Sequence, residues 1–185
     1  VSTFDPVDAE KYNINLVAQP FLEIDSNKLE RNIDIYFIGS DKGRLNKLIE
    51  IENMAKSQGL KCNFHITPSK RTEYSEEERK YLKNLNISYS ENIDIARASK
   101  CLLEIVQENQ AGPTMRSMEA AFLKCKLITN RKSAKHDVFY HPNNTLIIED
   151  GTSYDFKSFL ESEYINFEEE IKETHSIKKW WRQFN

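Results

Sequence analysis

The stretch Ile33-Asp34-Ile35-Tyr36-Phe37-Ile38-Gly39-Ser40-Asp41-Lys42-Gly43-Arg44 decides the fold class. Its first half is short, β-branched and aromatic, and it closes on Gly39, which predicts a buried strand. The residues that follow change period. Asp41 can cap a helix, Leu45, Leu48, Ile51 and Ala55 form an apolar stripe at helical spacing, and Gly59 can close it. Outward from this strand and helix the pattern repeats. Leu60 to Ile66, Ile87-Ser88-Tyr89, Cys101 to Val106, Leu127-Ile128-Thr129 and Leu146-Ile147-Ile148 read as further strands. Between and after them, Glu73 to Leu85, Glu91 to Ser99, Thr114 to Lys124, Ser153 to Glu161 and Phe167 to Phe184 read as helices. Strands alternating with helices predict a three-layer, Rossmann-like α/β domain with a mainly parallel sheet of five or six strands. We place that domain at residues 31–165, with a linker at 1–30 and a C-terminal helix at 166–185. In open sheets of this kind ligands bind beyond the carboxyl ends of the strands, so the loops after those ends are where chemistry is sought.

At 185 residues the chain suits about one domain, and 39% hydrophobic residues suffice for a core but leave no bilayer span. The net charge is −3, from 26 basic and 29 acidic residues, which argues against a duplex nucleic-acid partner. Cys62, Cys101 and Cys125 are odd in number, sit in apolar contexts and lack metal-type spacing. That favours free thiols and a reducing, cytoplasmic setting. The start, Val1 to Glu10, is polar and unlike a signal peptide. The absence of an initiator Met suggests a trimmed fragment, with a further domain expected upstream.

Two segments carry candidate chemistry. In the first, Gly39 allows close backbone approach to a phosphate, while Lys42 and Arg44 add charge at a helix start. The plain alternative is a strand-to-helix turn with solvated charges. The second is Gln110-Ala111-Gly112-Pro113-Thr114-Met115-Arg116-Ser117-Met118-Glu119-Ala120, a Gly/Pro loop running into a helix. Glu119, inside that helix, can accept hydrogen bonds from vicinal hydroxyls such as those of a ribose. Otherwise Arg116 and Glu119 form an i, i+3 pair on a solvated face. His65 reads as a structural strand residue, His136 and His141 lack a third metal ligand in register, and His175 reads as a surface helix residue. Arg131, Lys132, Lys135 and His136 make a basic patch, read as a solvated loop or a contact for phosphates. The tail Lys178-Lys179-Trp180-Trp181-Arg182-Gln183-Phe184 suits either peripheral membrane contact or packing back onto a first domain. Glu168-Glu169-Glu170 favours the second, because anionic lipid would repel it.

Taken in order, several motifs resemble the C-terminal, nucleotide-sugar-binding half of GT-B glycosyltransferases, and bacterial lipopolysaccharide-core and exopolysaccharide biosynthesis proteins in particular. They are Phe4-Asp5-Pro6 with Asp8 and Tyr12-Asn13; Ile35 to Gly39 with Lys42-Gly43-Arg44; and Ile87-Ser88-Tyr89 with Glu91. Ser99 to Ile105, Gln110 with Gly112 to Arg116, Glu119-Ala120, and Lys126 to Asn130 complete the series. The resemblance implies a glycosyltransferase domain that takes a nucleotide-diphospho-sugar. Gly39, Lys42 and Arg44 would approach the diphosphate, and Tyr89 would border the base. Gly112, Pro113 and Thr114, with Arg116 beside them, would line diphosphate and sugar, and Glu119 would hold the ribose. Ala111 stands where the family's Glu-x7-Glu pattern has its first glutamate, with Gln110 as a substitute. No Asp-x-Asp occurs, which fits a metal-independent enzyme, and the resemblance implies no cofactor besides the nucleotide-sugar donor. The saccharide or lipid-linked saccharide acceptor, and the catalytic base, would belong to another domain at the inner face of the plasma membrane. The alternative is a noncatalytic nucleotide-binding or scaffold domain on the same fold.

Overall fold

A computed structural model describes residues 1–21, 30–84, 86–107 and 112–181. Its elements run β1 (Ser2–Thr3), α1 (Pro6–Tyr12), β2 (Asn15–Leu16), β3 (Ile33–Ser40), α2 (Leu45–Ser57), β4 (Cys62–Thr67), α3 (Glu76–Arg79) and α4 (Tyr89–Arg97). They continue β5 (Ser99–Glu104), α5 (Met115–Phe122), β6 (Lys126–Thr129), a 3-10 turn (Lys132–His136), β7 (Thr145–Ile147), α6 (Phe156–Glu161), α7 (Glu169–His175) and α8 (Ile177–Trp180). The main sheet has five strands in the order β4-β3-β5-β6-β7, all parallel. The fold is therefore the three-layer Rossmann-like α/β class that the strand–helix alternation predicts.

Alternation along β3 divides the core. Ile35 and Phe37 point to one face, where Leu48, Ile51 and Ala55 of α2 and Phe156 of α6 cover them. Tyr36 points to the other face and meets Ile93 and Ala96 of α4 and Ala120 of α5. Register carries the pattern across the sheet, pairing Phe37 with Phe64, Tyr36 with Leu102, Leu102 with Leu127, and Ile128 with Leu146. The central strands β3 and β5 are apolar on both faces because helices cover both.

Several boundaries differ from the sequence reading, each for a local reason. Helix α2 starts at Leu45 rather than Asp41, because Lys42 (φ 47°) and Gly43 (φ 80°) turn through the left-handed region. Asp41 still organises that start: its Oδ1 accepts the Leu45 N–H at 2.7 Å, and its Oδ2 accepts the Tyr74 hydroxyl at 2.8 Å. The strand expected at Ile87-Ser88-Tyr89 is absent. Ser88 instead caps α4, with the Glu91 carboxylate returning to the Ser88 N–H at 2.8 Å. The helix expected over Glu73 to Leu85 shrinks to one turn, Glu76–Arg79, capped by Ser75, before Leu82 bridges to Ile66; Leu85 lies outside the described residues. The helix expected at Ser153 starts at Phe156, where Asp155 caps the Ser158 N–H at 2.9 Å.

Both ends also depart from expectation. The segment expected as a linker contains α1 and the parallel pair β1–β2, which lie outside the main sheet. The expected single tail helix breaks at Ser176 (ψ 131°) into α7 and α8. At that break Phe21 donates to the His175 carbonyl (2.8 Å) and accepts from Ile177 (3.1 Å). Trp180 donates its indole N–H to the Ala18 carbonyl. Phe21, Phe122, Phe139 and Phe167 join in successive ring contacts of 4.8, 5.9 and 5.4 Å. The described part of the tail thus packs on residues 18–21, and Phe184 lies outside the described residues. Among the described residues no helix is long and apolar enough to cross a membrane.

Candidate functional site

The chain leaves β3 through α2 to reach β4 on one side, then passes through α4 to β5 on the other side of β3. The connections diverge between β3 and β5, so a crevice opens beyond their carboxyl ends. A cleft of about 290 Å³ lies there, walled by Phe37, Arg44, Glu104, Thr114, Arg116 and Glu119, with Lys42 on its margin. Residues from both candidate segments therefore meet in one place.

Arg44 spans the two strand ends. Its Nε and Nη2 donate to the Ser40 carbonyl at 3.2 and 3.0 Å, and its Nη1 donates to the Ile105 carbonyl. The guanidinium also lies 5.3 Å from the centre of the Phe37 ring. A methyl group at Gly39 would sit 3.0 Å from Arg44 Nη2 and 3.3 Å from Phe37, so the glycine makes room for this side chain rather than for a ligand directly. Burial pushes the Arg44 pKa down from its usual value, with Asp41 opposing. Lys42 is held by its backbone, whose N–H donates to Ser69 Oγ at 2.9 Å. Among the described residues neither Lys42 nor Arg44 makes an ion pair.

The Arg116–Glu119 pair forms as the i, i+3 spacing allows, but on a buried face rather than a solvated one. Arg116 Nη1 lies 2.6 Å from Glu119 Oε2, and the two side chains are only 13% and 3% exposed. Asn92 ties the pair to the sheet: its Nδ2 donates to Glu119 Oε1 (3.1 Å), and its Oδ1 accepts from the Tyr36 hydroxyl (3.2 Å) and Arg116 Nη2 (3.4 Å). Burial raises the Glu119 pKa, against the pull of Arg116 and Asn92. Burial likewise pushes the Tyr36 phenol up to about 12. Of the Glu119 carboxylate, Oε1 is held by Asn92, whereas the buried Oε2 faces Arg116 with no hydrogen-bond partner among the described residues. Tyr89 stands at the start of α4, about half exposed, and feels the charges of both Glu119 and Arg116.

Thr114 is the N-cap of α5. Its hydroxyl oxygen accepts the Arg116 N–H (3.0 Å) and the Ser117 N–H (3.4 Å), while its proton goes to Glu104 Oε1. That hydroxyl is therefore saturated, and Thr114 shapes the cleft wall without an idle donor. Gly112 and Pro113 are turned elsewhere. The Gly112 N–H donates to Asp5 Oδ2 at 2.9 Å, and Pro113 borders a small hollow beside α5. The same Asp5 caps α1 by accepting the Val7 N–H at 2.9 Å. An amide expected to face a phosphate thus already serves an internal carboxylate. Gln110 and Ala111 lie outside the described residues.

Beneath the cleft is a network that the sequence reading missed. Glu104, 4% exposed at the end of β5, accepts from Thr129 Oγ1 (2.5 Å) and lies 3.4 Å from Arg131 Nε. Arg131 reaches on to Asp137, with Nη1 2.9 Å from Oδ1 and a second contact from Nη2 to Oδ2. Arg131 is 1% exposed, which removes it from the expected basic patch. Lys132, Lys135 and His136 are exposed as that reading had them, and Lys132 pairs with Glu149 at 2.9 Å. Asn92 and Glu104 carry little local signal, since an isolated polar residue reads the same whether its partner is water or a distant side chain. His65 is buried on β4, whereas His175 is half-buried against Phe139 rather than on the surface, its rings 4.8 Å apart.

Chemically the cleft offers two cations that make no ion pair among the described residues, one buried ion pair and several apolar side chains. Among the described residues no group of three or more His, Cys, Asp and Glu is placed to hold a metal ion. Compared with known proteins, the chain matches no family model and none of the curated proteins.

Proposed function

We propose that this chain is the donor-binding domain of a glycosyltransferase, and that the cleft between β3 and β5 takes the diphosphate of a nucleotide-diphospho-sugar. The observation that carries the reading is the pair Lys42 and Arg44, which makes no ion pair among the described residues at the switch point of a parallel sheet. Two positive charges match the two negative charges of a diphosphate esterified at both ends. In the transfer step an acceptor hydroxyl bonds to the sugar's anomeric carbon, the bond from that carbon to the diphosphate oxygen breaks, and the nucleoside diphosphate leaves. Fixed cations aimed at the leaving group stabilise the charge that grows there. The resemblance of its motifs to those of lipopolysaccharide and exopolysaccharide biosynthesis proteins makes a bacterial surface glycan the proposed product.

A noncatalytic nucleotide-binding domain is the second reading. It is favoured by Glu119 being committed to Arg116 and Asn92, and by the Gly112 amide being committed to Asp5. Calorimetric titration with UDP, GDP and dTDP, each against its nucleoside, tests the shared part of both. One diphosphate is expected to bind, and Arg44→Ala to weaken it about tenfold or more, as loss of a charged hydrogen bond implies. Equal affinity for nucleoside and nucleoside diphosphate would refute it. Release of UDP, GDP or dTDP from the matching sugar nucleotide, with an acceptor present, then separates transferase from binder.

A further inference from the structure

A second hollow, about 510 Å³, adjoins the cleft and shares Lys42, Arg44, Ile105 and Val106 with it. The two differ in chemistry. Half of the twelve residues walling the cleft are apolar or aromatic, namely Phe37, Ile38, Leu103, Ile105, Val106 and Met115. The second lobe has only Ile105 and Val106 of that kind, and is otherwise lined by Lys47, Gln107, Asn130, Asp150 and the shared cations. Asn130 extends the sheet edge, accepting the Val106 N–H at 2.7 Å and donating to its carbonyl at 3.2 Å, which fixes the floor. Lys47 stands between Glu50 (3.3 Å) and Asp150 (2.9 Å), so its charge is already balanced. Asp150 is 93% exposed and keeps one oxygen outside any bond among the described residues.

With Lys42 and Arg44 given to a diphosphate, the rest of this lobe carries no surplus positive charge. It suits a neutral group with many hydroxyls better than a further phosphate, because a lysine–carboxylate pair offers both donors and acceptors. We infer that this lobe seats the transferred sugar, and that the Lys47–Asp150 pair selects it by its hydroxyl pattern. The inference rests on the donor-site reading above. The nucleoside then lies in the cleft beside its apolar side chains, the diphosphate against the shared wall, and the sugar beyond it.

The test uses the full chain and calorimetry with UDP and UDP-glucose, GDP and GDP-mannose, and dTDP and dTDP-glucose. For the pair that binds, the readout is the ratio of the Kd of the sugar nucleotide to the Kd of its diphosphate. Lys47→Met and Asp150→Asn are expected to raise that ratio about tenfold, equivalent to about 1.4 kcal/mol, while leaving the diphosphate Kd within about twofold. Asp150 is 93% exposed, and Met keeps the apolar stem of the 17% exposed Lys47, so an unchanged circular dichroism melt is expected. A diphosphate that binds with the ratio unmoved in both variants overturns the sugar lobe alone. No binding of any nucleoside diphosphate overturns the cleft reading, and this inference with it.

Discussion

Replacing Arg131 by Met probes the network on which the cleft rests. Arg131 is 1% exposed, and its guanidinium links Glu104 of β5 to Asp137 of the following turn. Removing the cation leaves Glu104 buried, with the hydroxyls of Thr114 and Thr129 but no counter-charge. Asp137, at 18% side-chain exposure, can turn to water, so most of the penalty falls on Glu104. Breaking a buried pair by deleting one partner costs about 3–5 kcal/mol. In a protein of this size that lowers Tm by about 6–20 °C. Urea denaturation at pH 7 measures the loss directly. Glu104→Gln in the Arg131→Met background removes the stranded charge while keeping a hydrogen-bonding group, and is expected to recover at least about 1 kcal/mol. A loss below about 1 kcal/mol for Arg131→Met, or no recovery in the double variant, would refute the network as a coupled buried unit.

Further outcomes follow from single contacts. Thr114→Ala removes the α5 cap and a donor to Glu104, so it should cost about 1–2 kcal/mol, with Thr114→Ser restoring most of it in the same denaturation assay. Gly112→Ala puts a methyl group 2.8 Å from Asp5 Oδ2 and should dislodge Asp5 from the α1 cap, seen as faster hydrogen exchange at the Val7 amide; unchanged protection would contradict the tether. Tyr36 stays protonated in the folded chain up to about pH 12, while an unfolded tyrosine ionises near pH 10. Folding is therefore favoured fully below pH 10, and this contribution of about 2–3 kcal/mol is lost as pH rises to 12. Tyr36→Phe should flatten that decline in urea midpoints measured across the window, and a parallel decline in both proteins would exclude Tyr36 as its source.

The sheet was legible because its strands announce themselves. Ile33 to Ile38 and Cys101 to Val106 are too short and too apolar to be anything but covered strands, and α2 shows its stripe in Leu45, Leu48, Ile51 and Ala55. Where reading failed, a local rule was overlooked or a distant partner decided the matter. Ser88-Tyr89-Ser90-Glu91 carries a capping box that outranks the β-propensity of Ile87 and Tyr89. Lys42 and Gly43 look like the first turn of a helix until their positive φ is known. The convergence of Lys42, Arg44, Thr114, Arg116 and Glu119 was accessible, since all follow strands that end on one edge. The burial of Arg116 against Asn92 and of Arg131 against Glu104 was not. Such pairs join residues 24 and 27 positions apart, and only the packed sheet brings them together. The same holds for Asp5 at Gly112, 107 positions away.

The most direct measurement is an amide chemical-shift map of the isotope-labelled chain during titration with whichever of UDP, GDP or dTDP binds. The account predicts that the largest shifts cluster at the amides of Arg44, Val106, Met115 and Glu119, around the crevice between β3 and β5, and that Arg44→Ala abolishes them at the same nucleotide concentration. Shifts scattered over both faces of the sheet, or persisting unchanged in Arg44→Ala, would contradict a diphosphate seat at that crevice.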